Sequence, residues 1–378
     1  MSFVPHPSSN IVSDANQHTG ETLTEQSGLP SRMNAARFYE PGVVRYESIP
    51  VPALAAGEIL VQVEAALTCG TDLKSYRRGH PVLFKSLPAL FGHEFSGKVA
   101  ALGPQVSQFS VGDRVAVANS APCYQCFYCH QGQYNLCEHL EFLNGAYAEY
   151  VVVPASIVAR NTYRIPDYLP AEVAAFTEPL AVCLRGVELS GISPDDRVAI
   201  IGLGPIGQLL VKLAKWKGAH VTAMARSPYK REVAQRFGGA DAVADLSTDT
   251  DASSLKTTLT PNGRGFDVVI EAVGMPETWR LALALVRPGG RVNWFGGCES
   301  GTTVPVDTRQ LHYQEITLLS LFHHTPPYVK KALDLLVQQT IDPSPLITQR
   351  MPMSEITAAL EQVAAGRAMK IQLSPFSS

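Results

Sequence analysis

The feature that most constrains the fold of this chain is a β-branched apolar run that ends in a glycine-rich turn, at residues 197–207. Beyond the turn, apolar residues recur at helical spacing from Ile206 to Leu213, and Gly218 ends the pattern. A strand that passes through a tight turn into a helix is the unit from which doubly wound parallel sheets are built. This stretch therefore predicts an α/β architecture.

Three glycines of the turn have the G-x-G-x-x-G spacing. The first permits the tight turn, the second lets a pyrophosphate approach the backbone, and the third lets the helix pack against the strand. The helix N-terminus also presents free N–H groups and a positive dipole end to phosphates. Because the motif lies between a predicted strand and a predicted helix, it predicts a dinucleotide site. The expected contacts are Gly202, Gly204, Pro205, Ile206 and Gly207.

Other segments complete the expected organisation. Short alternating segments at 58–65, 97–102, 112–117 and 145–154 are separated by glycine and proline breaks, which favours a compact β-barrel. From the glycine turn onward, strand and helix patterns alternate, which is typical of a parallel sheet. The alternation ends near His323.

Length and composition bound the class of protein. The 378 residues suffice for two domains with separate cores, and the net charge of -3 argues against a nucleic-acid partner. No apolar run has the length of a membrane span, so no membrane partner is expected. Residues 1–32 are polar and lack the features of a secretory or transit peptide. We expect a disordered tail there and a cytoplasmic protein.

Four cysteines lie close together, at Cys123, Cys126, Cys129 and Cys137. Four thiolates can surround one zinc ion tetrahedrally, and a site without an open position is structural. An iron–sulfur cluster is disfavoured, because the bacterial ferredoxin run has three residues before its last cysteine and a proline after it. Here that gap is seven residues and Glu138 follows. The expected reducing compartment disfavours disulfides.

These features, with three further motifs, resemble the zinc-containing medium-chain dehydrogenase/reductases, the alcohol dehydrogenase family. The motifs are Cys69-Gly-Thr-Asp, Gly92-His93-Glu94 and Glu178-Pro-Leu, in the family's order. The chain is most similar to the polyol and sorbitol-type dehydrogenases, because Glu178 stands where many alcohol dehydrogenases have cysteine.

The resemblance implies an α/β fold with a GroES-like β-barrel catalytic domain and a Rossmann doubly wound parallel sheet. The implied boundaries are a GroES-like catalytic domain at 33–181 with a structural zinc lobe at 123–137, a Rossmann NAD(P)-binding domain at 182–321, and a return to the catalytic domain at 322–378. A homodimer or homotetramer is also implied.

The resemblance further implies a catalytic zinc, and so two zinc ions per chain. Its ligands would be Cys69, His93 and one of two carboxylates, Glu94 or Glu178. Either carboxylate can bind the metal directly or hold the metal-bound water; Glu94 is assigned as the ligand and Glu178 as the partner of the water. Asp72 matches a position that fixes a ligand imidazole, although a helix cap is an alternative interpretation. The metal would lower the pKa of a substrate hydroxyl, so that hydride can pass to the nicotinamide.

Two residues match positions of the family's proton relay. Thr71 matches the hydroxyl that takes the substrate proton. Lys74 stands at the next relay position, where the family often has histidine; it is either a relay group or a surface residue.

The end of the second predicted strand indicates which cofactor is used. An NAD enzyme places an acidic residue there to bind the ribose 2′-hydroxyl. Here the position is Ala225, with no acidic residue near it in the sequence, and Arg226, Ser227 and Lys230 follow as candidate donors to a 2′-phosphate. The pattern predicts NADP, with NAD as the alternative.

The substrate side is expected to involve Tyr76, His323 and His324, and a polar cleft would suit a polyol, sugar alcohol or cyclitol. The predicted function is a zinc- and NAD(P)-dependent dehydrogenase that interconverts a secondary alcohol and its ketone. One alternative is a primary-alcohol dehydrogenase or aldehyde reductase of the same family. A second is an NADP-binding protein without catalytic activity.

Overall fold

A computed structural model describes residues 28–80, 83–84, 86–247 and 251–375. Most of the predicted N-terminal tail, residues 1–27, lies outside this part of the chain. The described residues form a barrel-like β domain and a parallel-sheet domain, which the chain visits in the order β domain, sheet domain, β domain.

The first passage through the β domain contains ten strands and the first five helices. The strands are β1 (Arg32–Glu40), β2 (Val43–Pro50), β3 (Ile59–Leu67), β4 (Ala89–Leu90), β5 (Glu94–Leu102), β6 (Arg114–Val117), β7 (Ser120–Ala121), β8 (Glu141–Phe142), β9 (Tyr150–Val153) and β10 (Thr162–Arg164). The helices are α1 (Gly70–Arg78), α2 (Phe127–His130), α3 (Ala155–Arg160), α4 (Ala171–Ala174) and α5 (Thr177–Leu189).

The sheet domain follows, and the chain then returns. The strands of the sheet are β11 (Arg197–Ile201), β12 (His220–Ala225), β13 (Ala242–Asp245), β14 (Phe266–Glu271), β15 (Val286–Trp294) and β16 (Thr317–Ser320). Its helices are α6 (Pro205–Trp216), α7 (Pro228–Val233), α8 (Ala252–Leu259), α9 (Pro276–Leu285) and α10 (Thr308–Tyr313). The returning segment contains α11 (Pro326–Val337), β17 (Ile347–Pro352), α12 (Ile356–Ala364) and β18 (Lys370–Ser374).

The six-stranded sheet has the order β13-β12-β11-β14-β15-β16, and all of its pairings are parallel. This order reverses direction beside β11, which is where a doubly wound sheet leaves a crevice at the carboxyl ends of its strands. The glycine turn follows β11 directly. The predicted doubly wound sheet is therefore confirmed, and the turn lies at its switch point.

A strand from the far end of the sequence lies inside the main sheet of the β domain. β18 pairs with β3, which also pairs with β5, so three strands that are distant in sequence lie side by side. Cys69 follows the end of β3, and His93 and Glu94 stand at the start of β5. The predicted return of the C-terminal segment places β18 next to them.

The element bounds refine the expected domain limits. β1 begins at Arg32, one residue before the expected start at Met33. Ser31 accepts a backbone hydrogen bond from Val51 at 3.1 Å, so the ordered edge of the β domain includes it. Helix α5 crosses the expected boundary after residue 181, and its apolar face packs in one cluster with α6 and α11. Helix α5 therefore belongs to the contact between the domains.

Candidate active site and metal centres

The three glycines of the nucleotide turn have different steric surroundings. A Cβ on Gly202, whose φ is +94°, would lie 2.5 Å from Val273, and a Cβ on Gly207 would lie 1.8 Å from the Gly202 carbonyl oxygen. A Cβ on Gly204 would meet nothing within 4 Å. Gly202 and Gly207 are thus required by packing, whereas the space over Gly204 is open to a ligand. Pro205 is the first residue of α6, where its missing N–H costs nothing.

The predicted 2′-phosphate residues lie together after β12. Arg226 is exposed, and within the described part of the chain no carboxylate pairs with its guanidinium. Ser227 caps α7 by accepting a hydrogen bond from the backbone N–H of Lys230 at 3.4 Å. Arg226, Ser227 and Lys230 thus lie between the carboxyl end of β12 and the first turn of α7.

The structure also places an acidic residue near Ala225 that no sequence pattern predicted. Asp245 lies directly across from Ala225 in the parallel β12–β13 register. Its carboxylate accepts from the Arg231 guanidinium at 2.8 Å, and Arg231 also donates to the carbonyl oxygens of Ala225 and Arg226. The folded protein therefore does have an acidic residue near Ala225, contrary to the expectation. The Arg231 guanidinium neutralises the charge of this residue.

The four clustered cysteines are arranged as a tetrahedral metal site requires. Their Sγ atoms all lie within 4.8 Å of one another; the Cys123–Cys129 distance is 4.0 Å and the Cys126–Cys137 distance is 3.8 Å. A tetrahedron with metal–sulfur bonds of about 2.3 Å has sulfur separations of about 3.8 Å. Desolvation opposes ionisation, but backbone N–H groups lower the pKa of the Cys126 thiol to about 6. The donor set fits zinc.

A second donor set lies where β3 and β5 come together. One ligand atom each from Cys69, His93 and Glu94 lies within 4.8 Å of the others. Cys69 caps α1 two residues after β3, and His93 and Glu94 stand at the start of β5. The Oε1 atom of Glu94 is buried and has no hydrogen-bond partner among the described residues. Thiolate, imidazole and an unpartnered carboxylate oxygen suit a zinc ion.

A buried carboxylate orients two of these ligands. Asp72 accepts from or shares a proton with His93 Nδ1 at 2.9 Å through Oδ1, and Oδ2 accepts the backbone N–H of Cys69 at 3.2 Å. Tyr147 donates its hydroxyl to the same Oδ2 at 2.5 Å. Asp72 therefore fixes the imidazole, and from position N3 of α1 it also binds the backbone of the N-cap residue, which is Cys69 and not Asp72 itself. Tyr147 was not predicted.

Lys370 is a further residue that the sequence pattern did not reveal. It lies on β18 with 1% of its surface exposed, and its ammonium contacts Glu94 Oε2 and donates to the Thr68 carbonyl at 2.8 Å. The pair joins residues that are 276 positions apart. A single lysine in a short predicted strand carries no sequence signal of such a role. One oxygen of Glu94 is thus held by Lys370 and the other is free.

Glu178 and the two predicted substrate histidines form a third cluster. Their ligand atoms lie within 4.8 Å of one another, although Glu178 is in α5 and the histidines follow β16. Burial raises the pKa of the Glu178 carboxyl to about 7. Burial lowers the pKa of His323 to about 3 and that of His324 well below its usual value. Burial therefore favours the neutral form of both histidines and weakens the ionisation of Glu178.

The histidine rings are anchored by the segment before the four cysteines. His323 Nε2 lies 2.6 Å from Ser120 Oγ, and His324 Nε2 lies 2.9 Å from Asn119 Oδ1. Because an amide oxygen only accepts, His324 donates from Nε2 and keeps a lone pair on Nδ1. That Nδ1 is buried and without a partner among the described residues. It is an acceptor available to a ligand hydroxyl.

The remaining predicted residues lie on α1. Thr71 and Lys74 are exposed, so both can reach solvent from the helix that Cys69 caps. Tyr76 packs its ring partly against the apolar core of the β domain. Its predicted contact with the substrate stays a prediction.

A nucleotide-binding sheet joined to a β domain with two metal-ligand sets defines a metal- and nucleotide-dependent oxidoreductase. Residues 55–167 match the family model of the alcohol dehydrogenase GroES-like domain, and residues 205–338 match that of the zinc-binding dehydrogenases. The chain belongs to this family, the zinc-containing medium-chain dehydrogenase/reductases. The predicted family, fold class and enzyme class are confirmed.

Several relatives cover most of the chain. A sorbitol dehydrogenase of Bacillus subtilis is 32% identical over 88% of this chain and 94% of the relative. An erythritol/L-threitol dehydrogenase of Mycolicibacterium smegmatis is 31% identical over 92% of this chain and 99% of the relative. A solved chain described as a zinc-binding dehydrogenase of Sinorhizobium meliloti 1021 bound to NADP has a TM-score of 0.84 and 32% identity, covering 92% of this chain and 100% of its own.

These similarities confirm the prediction of an oxidoreductase that acts on small-molecule alcohols and uses zinc. Among the described helices, none combines the length and the apolar character needed to cross a membrane.

Proposed function

We propose that this protein is a zinc-dependent dehydrogenase that prefers NADP and acts on a secondary alcohol of a polyhydroxylated substrate. The observation that carries this proposal is the cluster of Glu178, His323 and His324, in which the Nδ1 atom of His324 has no partner among the described residues. The same chain also contains the Cys69/His93/Glu94 set of candidate zinc ligands. The names of the polyol dehydrogenases that resemble the chain support the substrate class.

Two zinc ions are proposed for each chain. Cys123, Cys126, Cys129 and Cys137 would hold the structural ion. Cys69 and His93 would hold the catalytic ion together with Glu94 or Glu178. Glu94 has a buried oxygen without a partner among the described residues, and Glu178 is a buried carboxylate that lies close to His323 and His324. The catalytic ion supplies a positive charge that lowers the pKa of a substrate hydroxyl.

The protein's own residues would orient the substrate and remove its proton. Asp72 and Tyr147 hold the His93 ring in one orientation. Thr71 is the proposed relay, since its hydroxyl takes the substrate proton as it passes its own proton on. Exposed Lys74 on the same helix is the proposed outlet, because its ammonium releases a proton to solvent before it takes up the relayed one. The Nδ1 lone pair of His324 accepts a hydrogen bond from a second substrate hydroxyl, which an unsubstituted primary alcohol does not have.

A substrate panel tests this function. Zinc-loaded enzyme is assayed with sorbitol, D-arabinitol and erythritol, and with 1-butanol and 1-hexanol as alcohols that lack a second hydroxyl. We expect at least about a ten-fold higher kcat/KM for the best polyol, which corresponds to one hydrogen bond of about 1.4 kcal/mol. Preference for the primary alcohols would favour the aldehyde-reductase alternative. NADP binding without any turnover would favour the non-catalytic one.

The preference for NADP rests on the charges around Ala225. Position 225 has no carboxylate to repel a 2′-phosphate, and Arg231 neutralises Asp245 across the strand. A charge-assisted hydrogen bond from Arg226 is worth roughly 1.5–3 kcal/mol, which is about ten- to a hundred-fold in affinity. The NADP-bound relative supports the same choice.

Exchange of these residues tests the cofactor preference. The double variant Ala225→Asp with Arg226→Leu is expected to invert the ratio of kcat/KM for NADP and NAD. Arg236→Leu is the matched control, because Arg236 is an exposed arginine whose only described carboxylate contact is Glu232 at 4.0 Å. Equal or better use of NAD by the wild-type enzyme would show that Arg226 does not bind the phosphate.

We also propose that the protein is a homodimer. β16 is the last strand of the parallel sheet, and its outer edge pairs with no strand among the described residues. An open edge with two leucines at its centre, Leu318 and Leu319, favours pairing with a second copy. Sedimentation equilibrium tests this proposal, and a monomer at micromolar concentration would refute it.

A further inference from the structure

Helix α5 carries two functional side chains on one face. Glu178 lies in its first turn, and Arg185 follows seven residues later, which is two helical turns. Arg185 takes no part in the chemistry proposed above. Its guanidinium donates from Nη1 to the carbonyl oxygens of Phe322 and His323, both at 3.0 Å, and from Nη2 to Asn135 Oδ1 at 3.2 Å.

The turn that Arg185 binds has an unfavourable backbone conformation. His323 has a φ of 64°, in the left-handed region that non-glycine residues rarely adopt. Such a conformation persists only where the surroundings fix it. Arg185 fixes the His323 carbonyl, Ser120 binds its ring, and the Phe142 ring centroid lies 5.4 Å from the imidazole. These contacts hold the turn and the His323 ring in this conformation.

The residues that contact this turn come from the four-cysteine lobe and from the segment just before it. Asn135 lies inside the lobe, between Cys129 and Cys137, and is 6% exposed. Asn119 and Ser120 immediately precede the lobe and hold the two histidine rings. Arg185 thus joins the inside of the lobe to the turn that carries the substrate-side histidines.

We propose that Arg185 is a positioning residue of the substrate pocket, which fixes the His323–His324 turn to the four-cysteine lobe. The lobe thereby determines the orientation of the groups that bind the substrate hydroxyls. The pocket part of this proposal rests on the proposed polyol function. A planar guanidinium can serve three acceptors at once, whereas the single ammonium of a lysine cannot reproduce this geometry.

The expected effect on KM and kcat follows from the residues that Arg185 contacts and from those that it does not. It makes no described contact with the Cys69/His93/Glu94 set. Loss of its hydrogen bonds to Phe322, His323 and Asn135, which we call the Arg185 clamp, is therefore expected to weaken substrate binding more than the chemical step. We expect Arg185→Lys to raise the KM for the polyol about ten-fold, with kcat changed less than about three-fold. A ten-fold change equals about 1.4 kcal/mol.

The test uses three variants and one control. Arg185→Lys keeps the charge but loses the clamp, Asn135→Leu removes the acceptor in the lobe, and Asn135→Asp restores an acceptor at the same place. Arg114→Lys is the matched control, because Arg114 also donates to two consecutive carbonyl oxygens, those of Pro166 and Asp167, in another part of the β domain.

Two measurements are made on zinc-loaded protein whose metal content has been verified. The first is the NMR signals of the ring nitrogens in protein labelled with 15N-histidine, which needs no substrate; His323→Gln and His324→Gln variants assign the signals. The second is KM and kcat for the best polyol of the panel above.

We expect the His323 and His324 signals to shift, and KM to rise, in Arg185→Lys and Asn135→Leu but not in Asn135→Asp or Arg114→Lys. Unchanged ring signals and KM in the first two variants would overturn the proposal. If Arg185→Lys does not fold, Asn135→Leu decides alone. Shifted ring signals without turnover of any polyol by the wild-type enzyme would refute the proposed function and leave the clamp supported.

Discussion

Replacement of Lys370 by methionine is expected to destabilise the β domain strongly. Lys370 is 1% exposed and Glu94 is fully buried, and their charges contact each other. Methionine retains an unbranched apolar side chain of similar length but removes the ammonium. The carboxylate of Glu94 then stays in the interior without its cation, and the Thr68 carbonyl loses its donor.

The size of the effect follows from the burial of both partners. Removal of one partner of a buried ion pair costs about 3–5 kcal/mol, because the other charge is left uncompensated. At about 2–4 °C per kcal/mol for a domain of 150–250 residues, Tm should fall by roughly 6–20 °C. Adding Glu94→Gln removes the orphaned charge, so the double variant should recover most of this loss.

Scanning calorimetry measures the four members of this cycle at equal zinc content, which elemental analysis verifies for each variant, because Glu94 is also a candidate zinc ligand. Lys98→Met is the matched control, because Lys98 lies on the same strand as Glu94 but is exposed. Exposed substitutions of this kind usually change stability by less than about 0.5 kcal/mol. A Lys370→Met variant within about 1 kcal/mol of wild type, or a double variant no more stable than that single variant, would refute the reasoning.

Three further outcomes are expected. Elemental analysis should give two zinc ions per chain, with Cys123→Ser lowering Tm and His93→Ala mainly abolishing turnover; one ion or none would contradict this. Stability should fall as pH drops below 6.5, because burial keeps native His324 neutral to a much lower pH, whereas the same histidine binds a proton in the unfolded chain. A pH titration of Tm should therefore show a smaller slope for His324→Gln than for the wild type. Deletion of residues 1–27 should leave Tm unchanged, whereas deletion of 1–32 should lower it by removing the bonds of Ser31 and Arg32 to the neighbouring strand; equal Tm values would contradict this.

The sequence predicted those parts of the site that depend on local spacing. The glycine turn requires a tight turn and a helix start within a few residues, and the four cysteines lie within one short lobe. Both patterns constrain their own geometry because short spacings leave few conformations. The doubly wound order of the sheet could also be predicted, since alternating strands and helices with right-handed crossovers allow few topologies.

Contacts between distant segments could not be predicted in this way. The Glu94–Lys370 pair joins two strands that come together only in the folded β domain. Asp245 reaches Ala225 through the register of two parallel strands, which periodicity does not specify. Arg185 has an ordinary position in a helix, and only the folded chain shows that Asn135 and His323 meet it. The role of each of these residues could not be predicted from sequence spacing, because tertiary packing decides which residue it contacts.

The pairing of β18 with β3 also has a consequence for the order of events during synthesis. Ile371 donates its backbone N–H to the Thr68 hydroxyl across 303 residues, so the ribosome must complete the whole parallel-sheet domain before this bond can form. Until residue 370 has emerged, the end of β3 beside Cys69 has an open edge that can pair with another chain. The nucleotide-binding half can therefore fold during translation, while the metal-binding half is completed only after it.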